Sequence, residues 1–253
     1  MIFNSKKEIL FITLAGFFIT NAIVAEMIGG KLIDIGKNFS EGTFIMSVGI
    51  LLWPVVFLTT DLMNEYFGKK AVKKLSFITA GLVLYAFIVL WMAMQVNAIP
   101  GSPVNNASFH NVFGQSMWII IGSVTAFITS QLMDVFVFWF IRKKTGGKML
   151  WLRATGSTVI SQLFDTFIVG GIGLWLPSLL FPDKYHFTFE MYVKASLTGY
   201  SVKLIIAVVL TPVIYFGHYF VDRYLGEEEA KKIILETARL NDKVGQAKKD
   251  TGS

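Results

Sequence analysis

Residues 117–141 read MWIIIGSVTAFITSQLMDVFVFWFI, an apolar run long enough to cross a bilayer as one helix, yet with an aspartate inside it. The polar part of this run, Ser130-Gln131-Leu132-Met133-Asp134-Val135-Phe136, returns as Ser161-Gln162-Leu163-Phe164-Asp165-Thr166-Phe167 in a second apolar run. A carboxylate near the middle of a membrane helix costs roughly 2.5–3.5 kcal/mol on insertion scales, so two in matching contexts imply a task that outweighs the cost. Holding a polar solute is such a task.

Working outward, 54% of the 253 residues are hydrophobic and only 16% are charged, the balance of an integral membrane protein. Six spans of about the required length can be drawn: Ile9 to Ile28, Thr43 to Met63, Ala71 to Met94, Met117 to Ile141, Leu152 to Leu176, and Met191 to Phe220 with a kink at Pro212. The fold class expected is all-α, a polytopic bundle of six transmembrane helices. Residues 1–222 form the membrane domain, and residues 223–253 a charged cytoplasmic tail that reads as a short helix fading into disorder.

The net charge of +6 does not point to a nucleic acid, because Lys and Arg are spread through the connections between spans. They report topology instead. One side carries Lys6, Lys7, Lys69, Lys70, Lys73, Lys74, Arg142, Lys143, Lys144, Lys148 and Arg223; the other has Lys31, Lys37 and Lys184, with no Lys or Arg between Gln95 and Ser116. Positive charge stays inside, so both termini are expected in the cytoplasm. Cysteine is absent, which removes disulfides, thiolate ligands and thiol nucleophiles.

Gln131 and Asp134 are three residues apart and Ser130 and Asp134 four, so they share a helical face; Ser161, Gln162 and Asp165 repeat this, and Ser157 and Thr158 extend the ridge back to Arg153. Neighbouring spans run antiparallel, so the two copies form an opposed pair around a central site at similar depth. Gln and Ser alone can hold two helices together, but that role does not call for two carboxylates. A second cluster ends the second span, where Asp61 and Glu65 lie four apart and need a cation, a proton or a basic side chain between them. Arg153 is at a suitable depth for this, and these three residues are the candidates for gating or coupling. Lys203, mid-span, is expected to meet Asp134 or Asp165. Asn21 joins the cavity, whereas Glu26 reaches for the outer interface. Trp53, beside Pro54, offers a flat face for stacking. His110, His186 and His218 lack metal-ligand spacing, and neither a metal nor a cofactor is expected.

Asp61-x-x-x-Glu65-x-x-Gly68 after a Pro-containing span, Arg153-x-x-x-Ser157-x-x-x-Ser161-Gln162-x-x-Asp165-Thr166, and Lys203 upstream of Pro212 together resemble the queuosine precursor transporter family. The resemblance runs from about Asn21 to Pro212. It implies six-span inner-membrane proteins that take up 7-deazaguanine precursors of the tRNA nucleoside queuosine, preQ0- and preQ1-type bases. The residues suit such a guest. A guanine-like ring offers two parallel N–H donors, which Asp134 or Asp165 can accept as a fork, and Gln131 or Gln162 can serve the carbonyl and pyrrole edge.

Two other readings compete. One is a substrate-capture subunit for a small vitamin, working with an ATP-driven module. The other is a membrane-embedded enzyme, disfavoured because the chain has no His-Glu-x-x-His, no Gly-x-Ser-x-Gly and no cysteine. Gly170, Gly171 and Gly173 suit tight helix contacts, either within a protomer or between copies in a homo-oligomer.

Overall fold

A computed structural model describes residues 5–34, 45–114, 117–146, 148–183 and 186–250. Lys37 and Lys184, used in the charge comparison, lie outside the described residues, as does the start of the second expected span at Thr43. Among the described residues, the regular structure is helical apart from a three-residue antiparallel ladder between β1 (Leu32–Asp34) and β2 (Ile45–Ser47).

Helix α1 (Lys6–Met27) starts on a reciprocal cap: the Ser5 hydroxyl accepts from the Glu8 N–H and the Glu8 carboxylate accepts from the Ser5 N–H, each at 3.2 Å. A 3-10 turn, Val48–Leu51, follows β2 and leads into α2 (Trp53–Tyr66). Pro54 sits in the first turn of α2, where its missing N–H removes no helical bond. The chain then reverses at Gly68, whose φ of +84° is open to glycine and strained for other residues, into α3 (Gly68–Met94). A short external helix, α4 (Asn106–Phe113), precedes α5 (Met117–Thr145). α6 (Leu150–Gly170) returns antiparallel to α5 and passes through a π turn, Gly171–Trp175, into α7 (Leu176–Leu180). α8 (Phe189–Val209) and α9 (Thr211–Leu225) are separated by the single residue Leu210, and α10 (Glu227–Asp250) closes the described chain.

Among the described residues, five helical stretches are long and apolar enough to cross a membrane: those containing α1, α3, α5, α6 to α7, and α8. The second expected span is different. Its helix, α2, has 14 residues, about 21 Å of rise against a hydrocarbon core of about 30 Å, and extended and 3-10 chain precedes it. The expected kink at Pro212 is present as the α8–α9 break; proline withholds the N–H that would bond the Val208 carbonyl.

Burial is inverted relative to a water-soluble protein. Asp61, Asn64, Glu65, Gln131, Asp134 and Arg153 are buried, while Trp91, Phe136, Phe140 and Phe216 are each more than half exposed. Such an apolar exterior fits lipid. Phe18, Val56, Met63, Tyr66, Val72 and Val135 form the dry core between α1, α2, α3 and α5. The segment after Gly226 is no loose tail at its start: Ala230 and Ile233 belong to this core, and the Thr237 hydroxyl donates to the Tyr66 carbonyl at 3.1 Å.

The glycines act within the protomer. A Cβ on Gly122 of α5 would stand 3.0 Å from the Gly173 backbone nitrogen, and one on Gly170 would meet Ser196 and Tyr192 of α8. The π turn and the Tyr192 hydroxyl, which donates to the Phe167 carbonyl at 3.0 Å, fit together at this crossing.

Candidate functional site

The buried polar residues fall into two tiers between α2, α5, α6 and α8. In the inner tier, one oxygen of Glu65 receives two guanidinium groups, Arg142 at 2.7 Å and Arg153 at 2.8 Å. Arg142 also lies over the Trp139 ring at 4.9 Å and Arg153 over Phe138 at 5.6 Å. One turn from Glu65, Asp61 is 1% exposed and neither of its oxygens has a hydrogen-bond partner. Asp134 accepts from the Ser157 hydroxyl at 2.8 Å, across the α5–α6 interface, and its second oxygen has no partner. Thr60 donates to the Gln131 side-chain oxygen at 3.4 Å, linking α2 to α5.

In the outer tier, Lys203 of α8 reaches Asp165 of α6 at 2.6 Å. Glu26 of α1 accepts from Ser123 of α5 and lies within electrostatic reach of both Asp165 and Lys203. Glu26 therefore turns inward rather than toward the outer interface, because a hydroxyl and an ammonium inside the bundle solvate it.

Two adjoining narrow hollows, each a cavity of about 10 Å³, open beside these tiers. Asp61, Thr155 and Thr158 line the inner one; Trp53, Thr158, Gln162 and Lys203 line the outer one. Pro54, Phe57, Thr158, Ala207 and Leu210 belong to both, so they form one groove. Each hollow holds little more than one water molecule as it stands, so a solute enters only as α2, α6 and α8 move apart. Helical periodicity makes the groove. Trp53, Phe57 and Asp61 recur every four residues along α2, and Thr155, Thr158 and Gln162 lie at i, i+3 and i+7 along α6. Two helix interruptions border the groove, the start of α2 and Leu210.

The structure thus gathers Trp53, Asp61, Gln162 and Lys203 on the groove wall. Gln131, Asp134 and Ser161 are buried in the α5–α6 seam beside it, and Glu65 and Arg153 in the inner cluster. Asn21 stands apart: its amide donates to the Phe17 carbonyl of its own helix, and it lines neither hollow. The two aspartates do not face one another. Asp134 is held by Ser157, while Asp165 lies eight residues farther along α6, about 12 Å of rise, and turns to α8.

Arg142 and Ser123 are additions that the sequence reading passed over. Arg142 was grouped with the topology charges, yet it lies eleven residues after Gln131 and so on the same stripe, through Val135 and Phe138, all of them buried. Farther in, Tyr66 donates to Asp222 at 2.6 Å and contacts His218 at 3.2 Å, a polar knot tying α2 to α9. Among the described residues no group of His, Asp and Glu has the arrangement of a metal site.

Residues 47–217 match the family described as "Putative vitamin uptake transporter". A protein of Bacillus subtilis named "Probable queuosine precursor transporter" is 27% identical over 170 residues, 67% of this chain and 70% of the relative. One of the same name from Haemophilus influenzae is 26% identical over 183 residues, 71% of each chain. No solved structure matches. The family and both relatives are named as transporters rather than enzymes, and the chain belongs to the vitamin uptake transporter family that its residues 47–217 match.

Proposed function

We propose that this protein imports 7-deazaguanine precursors of queuosine, the preQ0- and preQ1-type bases, across the cytoplasmic membrane. The observation that carries the reading is the groove between α2, α6 and α8, flanked by two helix interruptions and walled by an aromatic ring, an amide, a lysine and a carboxylate. Transporters commonly bind their solutes where spanning helices are broken. The names of the two relatives supply the solute class.

In this reading the chain passes the membrane six times, with the 3-10 turn and α2 together completing the second pass and both termini in the cytoplasm. The base lies flat in the groove, its edges met by Asp and Gln side chains and its face by an aromatic ring, with stacking worth about 1–3 kcal/mol. Ser161, Gln131 and Asp134 order the α5–α6 seam, and Glu65 and Arg153 form the inner gate.

The test is uptake in cells unable to make the precursor, read as queuosine in tRNA, with precursor base, aminomethyl base and queuine supplied singly at low concentration. Restoration by at least one base is expected. Failure with all three, despite protein in the membrane, removes the reading. Unaided uptake into liposomes by the purified chain separates a carrier from a capture subunit that needs an ATP-driven partner.

A further inference from the structure

Each intramembrane carboxylate described above has a partner except one. Glu65 holds two arginines, Asp165 holds Lys203, Asp134 accepts from Ser157 and Glu26 accepts from Ser123. Asp61 is equally buried, yet both its oxygens lack a hydrogen bond, and it stands in the wall of the groove. A buried carboxyl group without a hydrogen bond is costly, and Arg153 acts on Asp61 through its charge alone while Asp134 and Glu65 oppose it, so a hydrogen-bonding partner is expected to come from outside the chain.

The surroundings of Asp61 restrict that partner. Phe57, one turn before it on the same face, borders both hollows and offers an aromatic face. Across the groove, Thr158 borders both hollows and Gln162 the outer one, giving groups that both donate and accept. The set is therefore a carboxylate, a ring and a two-way hydrogen-bonding wall, in that order. A flat heterocycle with two parallel N–H donors on one edge and a mixed donor-acceptor edge opposite matches it.

We propose that Asp61, rather than Asp134 or Asp165, receives the ring N–H and exocyclic amine of the base as a two-bonded fork, with the ring over Phe57 and its far edge at Thr158 and Gln162. This rests on the transport reading above and assigns its grip. Asp134 and Asp165 then serve the frame: one fastens α5 to α6 through Ser157, the other fastens α6 to α8 through Lys203.

The experiment is equilibrium binding to the purified full chain in detergent, using radiolabelled 7-deazaguanine and 7-deazahypoxanthine, which lacks the exocyclic amine. The unmodified protein is expected to prefer 7-deazaguanine by roughly 5- to 150-fold, the range for a two-bonded contact with a base edge. Asp61→Asn, which swaps one acceptor for a donor, is expected to abolish that preference. Should Asp61→Asn fail to fold, Asp61→Glu displaces the carboxylate by one methylene and is expected to weaken 7-deazaguanine binding more than that of 7-deazahypoxanthine, which loses one bond of the fork and not two; unchanged affinity for both overturns the proposal. A preference that survives Asp61→Asn and disappears in Asp134→Asn also overturns it, while leaving the transport reading standing. Binding with full preference but without uptake in Asp61→Asn would make Asp61 a coupling group and overturn the assignment too. No binding of either base by the unmodified protein defeats the transport reading and this proposal together.

Discussion

At the scale of single residues, Glu65 is the hub of the inner tier. Removing it as Glu65→Gln leaves the Arg142 and Arg153 guanidinium groups buried without a counter-charge, a loss of about 3–5 kcal/mol for breaking a buried pair. Arg142→Met leaves the Arg153–Glu65 contact intact and is expected to cost clearly less. Thermal unfolding of the purified variants in detergent checks the order; equal losses would mean that the two arginines do not share Glu65. In the outer tier, Lys203→Met strands Asp165 and is expected to cost about 1–3 kcal/mol, with much of the loss recovered in Lys203→Met/Asp165→Asn. Recovery in the double variant, measured as membrane protein level and melting temperature, identifies the pair as coupled. The Lys203 partnership was legible in the sequence, because a mid-span ammonium has few ways to be satisfied. The division of labour between the aspartates was not. Two copies of one pattern leave open which aspartate does what, and the helix-to-helix offset gives Asp134 a serine and Asp165 a lysine.

Elements carry their own consequences. Gly122 lets α5 press against the π turn, and Gly122→Ala places a methyl 3.0 Å from backbone that has no side chain to move aside. The expected loss is about 1–3 kcal/mol by overpacking, whereas Gly16→Ala on α1, with nothing within 4 Å, should be neutral or slightly stabilising. Chemical or thermal denaturation of both variants checks this. At the α8–α9 break, Pro212→Ala restores a donor for the Val208 carbonyl and can gain as much as about 3 kcal/mol of helix continuity. Since Leu210 borders both hollows, a straightened helix is expected to lower uptake while protein levels hold or rise; unchanged uptake would detach the break from the transport cycle. Pro212 was readable as a kink from the sequence alone. Pro54 carried an equally plain signal, that of a helix beginning, yet the apolar residues from Thr43 onward drew a full-length span around it. Short apolar runs do not distinguish extended chain from helix, and here residues 45–47 pair with residues 32–34.

On the scale of the molecule, the absence of cysteine makes orientation open to direct measurement. Val104→Cys, in the connection before α4, is expected to react with a membrane-impermeant maleimide on intact cells. Lys143→Cys, at the end of α5, should react only after permeabilisation; the reverse pattern would invert the proposed topology. The membrane class and the helical fold followed from composition and run length, since lipid leaves a chain few other ways to satisfy its backbone. Charge pattern, by contrast, misled at the end of the chain. The segment after Gly226 is polar enough to suggest a solvated tail, and its anchoring residues, Ala230, Ile233 and Thr237, are too small or too few to stand out. Their placement sets an order of events during synthesis. Everything that Tyr66 needs from α10 is made after every spanning helix has already been delivered to the membrane, so the inner end of α2 waits with an uncovered carbonyl until Thr237 arrives. A chain cut short anywhere in that interval lacks the Thr237 donor for the same carbonyl.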